Sequence, residues 1–279
     1  MSVRGACVRW SAAACLLLAP TLLLAGPPLV TDDPDTPGAN GYEVNWSTIV
    51  TKTRTDLTVS APYLDMNYGS AENNQFKLEL PLVNFVSPEI GEPTAGIGDT
   101  LVGYKLRFLD EKEAGFNAST YPQLLVPTGN SKLDIGQGLT NLFLPVELSK
   151  HFFDKKLYVY GEAGQSISFS GSRFNYSYLG IAAEWEVNKK FTLMGEVGDF
   201  NYPGHGDPDN PFFNVGFNYK FSEHVALIGS AGRSFRNEQF DVPEFTSYLG
   251  FQFTGSFKKE KKDDEDKDKA GAAGEKKED

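Results

Sequence analysis

Apolar and polar positions alternate with a period of two along residues 96–129. Thr100, Val102, Tyr104, Leu106 and Phe108 share one face, and Asp99, Leu101, Gly103, Lys105 and Arg107 share the other. After a turn, Ala118, Thr120, Pro122, Leu124 and Val126 alternate with Ser119, Tyr121, Gln123 and Leu125. Period two is the mark of a half-buried strand. Both runs exceed the ~5–6 residues usual in globular strands and suit the ~9–11 that a tilted strand needs to cross a bilayer.

The same pattern recurs along the chain. Tyr42, Val44, Trp46, Thr48 and Val50 oppose Glu43, Asn45 and Ser47; Phe76, Leu78, Leu80 and Leu82 oppose Lys77 and Glu79. Leu142, Leu144, Val146 and Leu148 oppose Asn141 and Glu147; Leu179, Ile181, Ala183, Trp185 and Val187 oppose Tyr178, Glu184 and Glu186. With further strands at 57–66, 157–167, 191–198, 213–221, 225–233 and 245–257 the count reaches twelve, an even number as antiparallel closure requires. Connections 109–115, 149–156, 188–190 and 222–224 are mostly short, whereas 83–95, 127–138, 198–211 and 234–244 are mostly longer. Short periplasmic turns alternating with long outer loops are the habit of outer-membrane barrels. The expected fold is therefore all-β: a transmembrane antiparallel up-and-down β-barrel of about twelve strands over residues 42–257, surrounded by outer-membrane lipid.

Composition agrees with strands rather than membrane helices. Hydrophobic residues make up 40% of the 279, the mean hydropathy is -0.33, and no long apolar run follows the N-terminus. A barrel hides its lipid-facing surface in alternation. The 21 Phe and 12 Tyr fit aromatic girdles. A net charge of -11 argues against nucleic acid, which calls for a basic footprint.

Residues 1–26 have the layout of a secretory signal: Arg4 and Arg9, an apolar core over 10–24, and a cleavage point at Ala25 and Gly26. An anchor is the poorer reading, because Pro20 interrupts a core already too short to span. Cys7 and Cys15 both lie there, so the exported chain carries no disulfide, thiolate nucleophile or cysteine-ligated zinc. Residues 27–41 form an extended N-terminal segment whose Asp32, Asp33 and Asp35 are expected to be solvated. Residues 258–279 form a charged tail expected to be disordered. The last strand sets Leu249, Phe251, Phe253 and Phe257 on one face, resembling the C-terminal signal that barrel-assembly machinery reads, which makes that machinery an expected partner.

Charge on a lipid-facing surface costs roughly 2–4 kcal/mol at mid-depth for Lys or Arg, so the charged faces must look inward. That assigns Lys77, Glu79, Asp99, Lys105, Arg107, Gln123, Asn141, Glu147, Glu162, Glu184, Glu186, Glu196, Asn214, Asn218, Lys220 and Arg233 to the lumen. Twelve strands fall between barrels filled by side chains and those that leave an aqueous channel.

Little here suggests catalysis. His151 and His224 fall in expected periplasmic turns, and His205 lies between Gly204 and Gly206 in an outer loop, a poor mount for a general base. Asp199, Asp207, Asp209 and Asn210 supply oxygen ligands without the spacing of an ordered calcium loop. Gly96, Ile97 and Gly98 lead into a strand, not into the helix that a phosphate cradle requires. No catalytic residue, metal or cofactor is expected.

Residues 31–38 (TDDPDTPG), 96–111 (GIGDTLVGYKLRFLDE) and 121–129 (YPQLLVPTG) resemble the MetA-like family, named for the phenol meta-cleavage pathway; 136–145 and 160–164 extend the likeness. The resemblance implies an outer-membrane barrel that acts as a transporter, with no catalytic residues to carry over. The expected function is passive passage of small solutes, aromatic or apolar ones among them. A non-transporting surface or lipid-modifying barrel and a soluble periplasmic β-protein stay open as alternatives.

Overall fold

The computed structural model describes residues 26–89, 91–203, 209–236 and 242–257. Its strands are β1 (Gly41–Lys52), β2 (Asp56–Ala71), β3 (Asn74–Pro81), β4 (Asn84–Pro88), β5 (Thr94–Gly96), β6 (Thr100–Leu109), β7 (Asn117–Thr120), β8 (Gln123–Val126), β9 (Asn141–Phe152), β10 (Leu157–Ser168), β11 (Tyr176–Asn188), β12 (Phe191–Asn201), β13 (Asn210–Lys220), β14 (Val225–Ser234) and β15 (Phe245–Ser256). All join one antiparallel sheet, which β1 closes by pairing with β2 on one side and with β15 on the other. Closure leaves the three-residue β5, which pairs with β4 alone, as an edge among the described strands.

The sheet is a barrel of twelve staves, three of them built in two pieces. β2 pairs with β3 along one half and with β4 along the other, so β4 continues β3 past Leu82 and Val83. β5 pairs with β4 and leads into β6. Residues 83–95, expected as a loop, are thus a hairpin that prolongs the wall. The run at 118–126, expected as one strand, breaks between β7 and β8 at Tyr121 and Pro122. Proline has no N–H for the ladder, but its carbonyl still accepts from Tyr104 N–H at 3.0 Å.

The chain enters the wall at Gly41 and leaves it at Ser256, which face each other on one rim. That rim also carries the connections 72–73, 110–116, 153–156, 189–190 and 221–224. The longest of these holds a single helical turn, Glu111–Ala114, capped by the Asp110 carboxylate. The opposite rim carries longer connections at 127–140 and 235–244, although 53–55 is short.

Alternation sorts the two faces. Trp46, Val146, Ile181, Leu249 and Phe251 point outward and are exposed, giving the wall an apolar exterior. The buried side chains look inward, and many of them are polar or charged. The centre is completed by the chain's own N-terminal segment. Residues 26–40 enter from the first rim and run up inside the barrel as a strap, with Leu29, Val30, Thr31 and Asp32 all buried. This corrects the expectation for Asp32, which is buried rather than solvated, while Asp35 stays exposed: the wall supplies partners that the linear sequence separates by more than seventy residues. The leader core and the charged tail lie outside the described residues.

Candidate functional site

The lumen is built from inward positions of nearly every stave, and two lysines organise it. On β3, Lys77 Nζ lies 2.7 Å from Glu79 Oε1 and 3.6 Å from Asp65 Oδ2 of β2. Tyr63 donates its hydroxyl hydrogen bond to the same Glu79. On β6, Lys105 Nζ lies 3.0 Å from Asp32 Oδ1 of the strap and 3.3 Å from Glu147 Oε2 of β9, and donates to the Asp33 carbonyl. The Tyr121 ring sits between the two ammonium groups, its centroid 4.6 Å from Lys105 Nζ and 5.7 Å from Lys77 Nζ. A ring face stabilises a nearby cation by ~0.5–2 kcal/mol.

The strap is held along its length. Glu196 of β12 accepts from the Val30 and Thr31 backbone N–H groups, both at 2.8 Å, and from the Thr31 hydroxyl at 2.7 Å. Asn214 of β13 donates to the same carboxylate at 2.6 Å. Glu162 of β10 accepts from Asp32 N–H at 3.0 Å, and Thr31 meets the Tyr178 hydroxyl at 2.9 Å. Nearer the first rim, Arg107 lies 3.2 Å from Asp35. Hydrogen bonds to charged groups are worth ~1.5–3 kcal/mol each, so four on one carboxylate make Glu196 a principal anchor.

Above the charged layer the lumen turns aromatic. Val30 packs among Phe143, Tyr176, Tyr178, Phe200, Phe212 and Ile228, and Leu29 among Tyr158, Tyr160 and Met194. Tyr178 and Phe200 stand 4.8 Å apart between ring centroids, and Phe200 and Phe212 5.7 Å. On the rim side of the strap a cavity of about 210 Å³ remains, bounded by Asp33, Asp35, Glu43, Tyr160, Glu184, Asn218 and Gln252.

Of the residues assigned to the lumen from sequence, the structure brings Lys77, Glu79, Lys105, Gln123, Asn141, Glu147, Glu162, Glu196 and Asn214 together inside, all buried. Glu184 and Asn218 are half-buried on the cavity wall, and Arg107 guards the strap's entrance. Glu186 and Lys220 share the inward parity but sit exposed at the first rim. Two residues depart. Asp99 precedes β6 and turns to the 127–140 connection, accepting from Gly129 N–H at 2.9 Å and Gln137 N–H at 2.6 Å. Arg233 pairs in register with Phe213, on the outward face opposite the inward Ala226, Ile228 and Ser234. It lies at the far rim, where an outward guanidinium reaches water.

Of the remaining chemistry, His151 Nδ1 lies 2.7 Å from Glu111 and its ring stacks on Tyr158, a contact that ties the helical turn to β9. Hydrogen bonds from the His151 ring and backbone N–H hold the Glu111 carboxyl below its usual range, against the opposing pull of partial burial. His224 is exposed in the 221–224 turn. His205 and Asp207 lie outside the described residues, and no cluster of potential metal ligands occurs among the described ones. The segments 31–38, 96–111 and 121–129 that carry the family resemblance meet at the Asp32, Lys105 and Tyr121 contact. Tyr121, Asp65 and the strap residues were missed from sequence; the unmatched acids of 31–38 beside the inward cations Lys105 and Arg107 were the available signal.

No protein-family model and no curated sequence matches this chain. Solved structures do resemble it. The COG4313 outer membrane channel from Pseudomonas putida F1 superposes with a TM-score of 0.61 at 19% identity, covering 82% of this chain and 99% of that one. The NanC porin gives 0.55 at 13% identity over 75% of this chain and 98% of its own. The KdgM porin gives 0.53 at 11% identity over 76% and 98%. At these identities the likeness is one of architecture: the chain has the fold of the outer-membrane channel barrels.

Proposed function

We propose that this barrel sits in the outer membrane after export and passes small solutes passively, with the strap setting the width of the path. The observation that carries the reading is the contrast between the two faces: an apolar exterior around an interior that holds Lys77, Lys105, Glu79, Glu147, Glu162 and Glu196. A protein that needed only a stable wall would fill a barrel of this size with apolar side chains, because buried ion pairs are weak sources of stability. The aromatic layer of Tyr176, Tyr178, Phe200 and Phe212, packed around Val30, would present ring faces to solutes with flat apolar bodies once the strap shifts. The MetA-like resemblance points to the same class. No catalytic role belongs to this reading.

Flux of small aromatic and aliphatic solutes into liposomes carrying the folded protein tests it. Entry faster than into empty liposomes, with ring-bearing solutes preferred, is expected. Flux no higher than in empty liposomes overturns the transport reading and leaves a structural or surface-binding barrel.

A further inference from the structure

We propose that export ends with hydrolysis of the Ala25–Gly26 bond and that the α-ammonium released on Gly26 is a working part of the lumen, paired with the Asp32 carboxylate. Three observations converge on it.

The first is position. Gly26 lies inside the barrel and bounds the cavity. Its carbonyl accepts from Leu29 N–H at 2.9 Å, which folds the start of the strap into a tight turn. That turn sets the residue against Asp32: a Cβ on Gly26 would stand 2.8 Å from Asp32 Oδ1 and 3.2 Å from its Cα. A side chain here would press on Asp32, so Gly26 Cα, which carries the α-nitrogen, lies beside that carboxylate.

The second is charge. The buried ionisable side chains, among the described residues, include six carboxyls (Asp32, Asp65, Glu79, Glu147, Glu162 and Glu196) and two lysines. Lys77 is taken by Asp65 and Glu79, while Lys105 is shared between Asp32 and Glu147. Buried carboxylates require a cation or several donors, and Asp32 has a share of Lys105 and the Asp33 N–H at 2.8 Å. Beside it, Glu162 Oε1 is buried with no hydrogen-bond partner among the described residues. A third ammonium at Gly26 supplies what this group lacks.

The third is space. The cavity that Gly26 bounds, about 210 Å³, has room for a hydrated ammonium. In the cleavage, water adds across the amide; the new carboxylate leaves with Ala25, and the nitrogen becomes the amine of Gly26. A free α-amine has a pKa of about 7.7–8.0, so an adjacent carboxylate keeps it charged at neutral pH. Signal removal thereby does more than release the chain: it creates the cation that locks the strap.

The inference rests on the leader reading, and the experiment separates the two. The protein is taken from the outer-membrane fraction, its folding verified by its heat-dependent shift on SDS gels, and its N-terminus read by mass spectrometry. Gly26 is expected as the first residue. A nearby start such as Pro27 spares the leader reading and overturns the ammonium; an intact leader overturns both. An amine-reactive acetylating reagent is then applied near neutral pH, and the N-terminal peptide is quantified. Labelling of Gly26 should be about tenfold slower in the folded than in the urea-unfolded protein, a factor comparable to one unit of amine pKa. Asp32→Asn, or two serines inserted after Ala25, should restore the fast rate in the folded protein. Equal rates in folded and unfolded wild type, or slow labelling that survives both changes, overturns the proposal.

Discussion

Lys105 Nζ and Asp32 Oδ1 lie 3.0 Å apart across 73 residues of sequence, and this contact joins the strap to the wall. Both groups are buried. Removing one partner of a buried pair leaves the other uncompensated, at a cost of ~3–5 kcal/mol. Lys105→Met should lower the temperature of the gel-shift transition and raise single-channel conductance as the strap loosens. Adding Asp32→Asn should recover only part of the stability, because Glu147 still lacks its cation. A single variant with unchanged conductance and melting would show that the strap is held without this contact.

The same charge balance sets ion preference. Carboxyls outnumber lysines inside, and Asp33, Asp35, Glu43 and Glu184 line the open cavity. A lumen of one dominant sign concentrates counter-ions. In a planar bilayer under a KCl gradient, the reversal potential should show cations favoured over chloride. Glu43→Gln with Glu184→Gln should reduce that preference without changing the fold. Anion preference in the wild type would mean that the path avoids this cavity.

The wall was legible in the sequence because each stave obeys one local rule. Tyr104 and Lys105 are adjacent, yet period two alone puts the first outside and the second in the lumen. The rule failed where its signal is missing. In β14 the small residues Gly229, Ala231 and Gly232 give no parity to follow, and Arg233 was placed inward when its register with Phe213 turns it outward. The strap was illegible for a different reason. Asp32 and Asp35 have no neighbours in sequence to neutralise them, and only closure of the barrel brings Lys105 and Arg107 to them. Pro88 and Pro93 interrupt the period-two pattern of residues 83–95, yet the backbone still pairs through β4 and β5.

That local rule has a direct consequence for folding in lipid. Val146 is outward and half exposed near the middle of β9. Arginine on a lipid-facing surface at mid-depth costs roughly 2–4 kcal/mol, falling to about 0–1 near the interface. Val146→Arg should therefore cut the folded fraction in urea titrations into lipid vesicles, while Glu223→Arg in the 221–224 turn should leave it almost unchanged. Equal effects at the two sites would contradict an outward, lipid-facing Val146.

At the far rim, Asp99 makes a similarly testable latch. Its carboxylate receives the Gly129 and Gln137 N–H groups, and Thr128 donates to the Gly98 carbonyl at 2.8 Å. Gly136 passes so close that a Cβ there would stand 2.4 Å from Asp99 Oδ1 and 2.8 Å from Gly129 Cα. Neither neighbour can retreat: one is a short side chain held by two hydrogen bonds, the other is backbone. Gly136→Ala should thus displace the 127–140 connection from the wall while β6 and β9 stay paired. Limited proteolysis of the folded protein should show new cleavage within 127–140 in this variant and in Asp99→Asn, with the heat-dependent gel shift retained. Protection equal to wild type in Gly136→Ala would mean that the connection is held mainly by its other contacts, such as Asn84 Nδ2 to the Ile135 carbonyl at 2.9 Å.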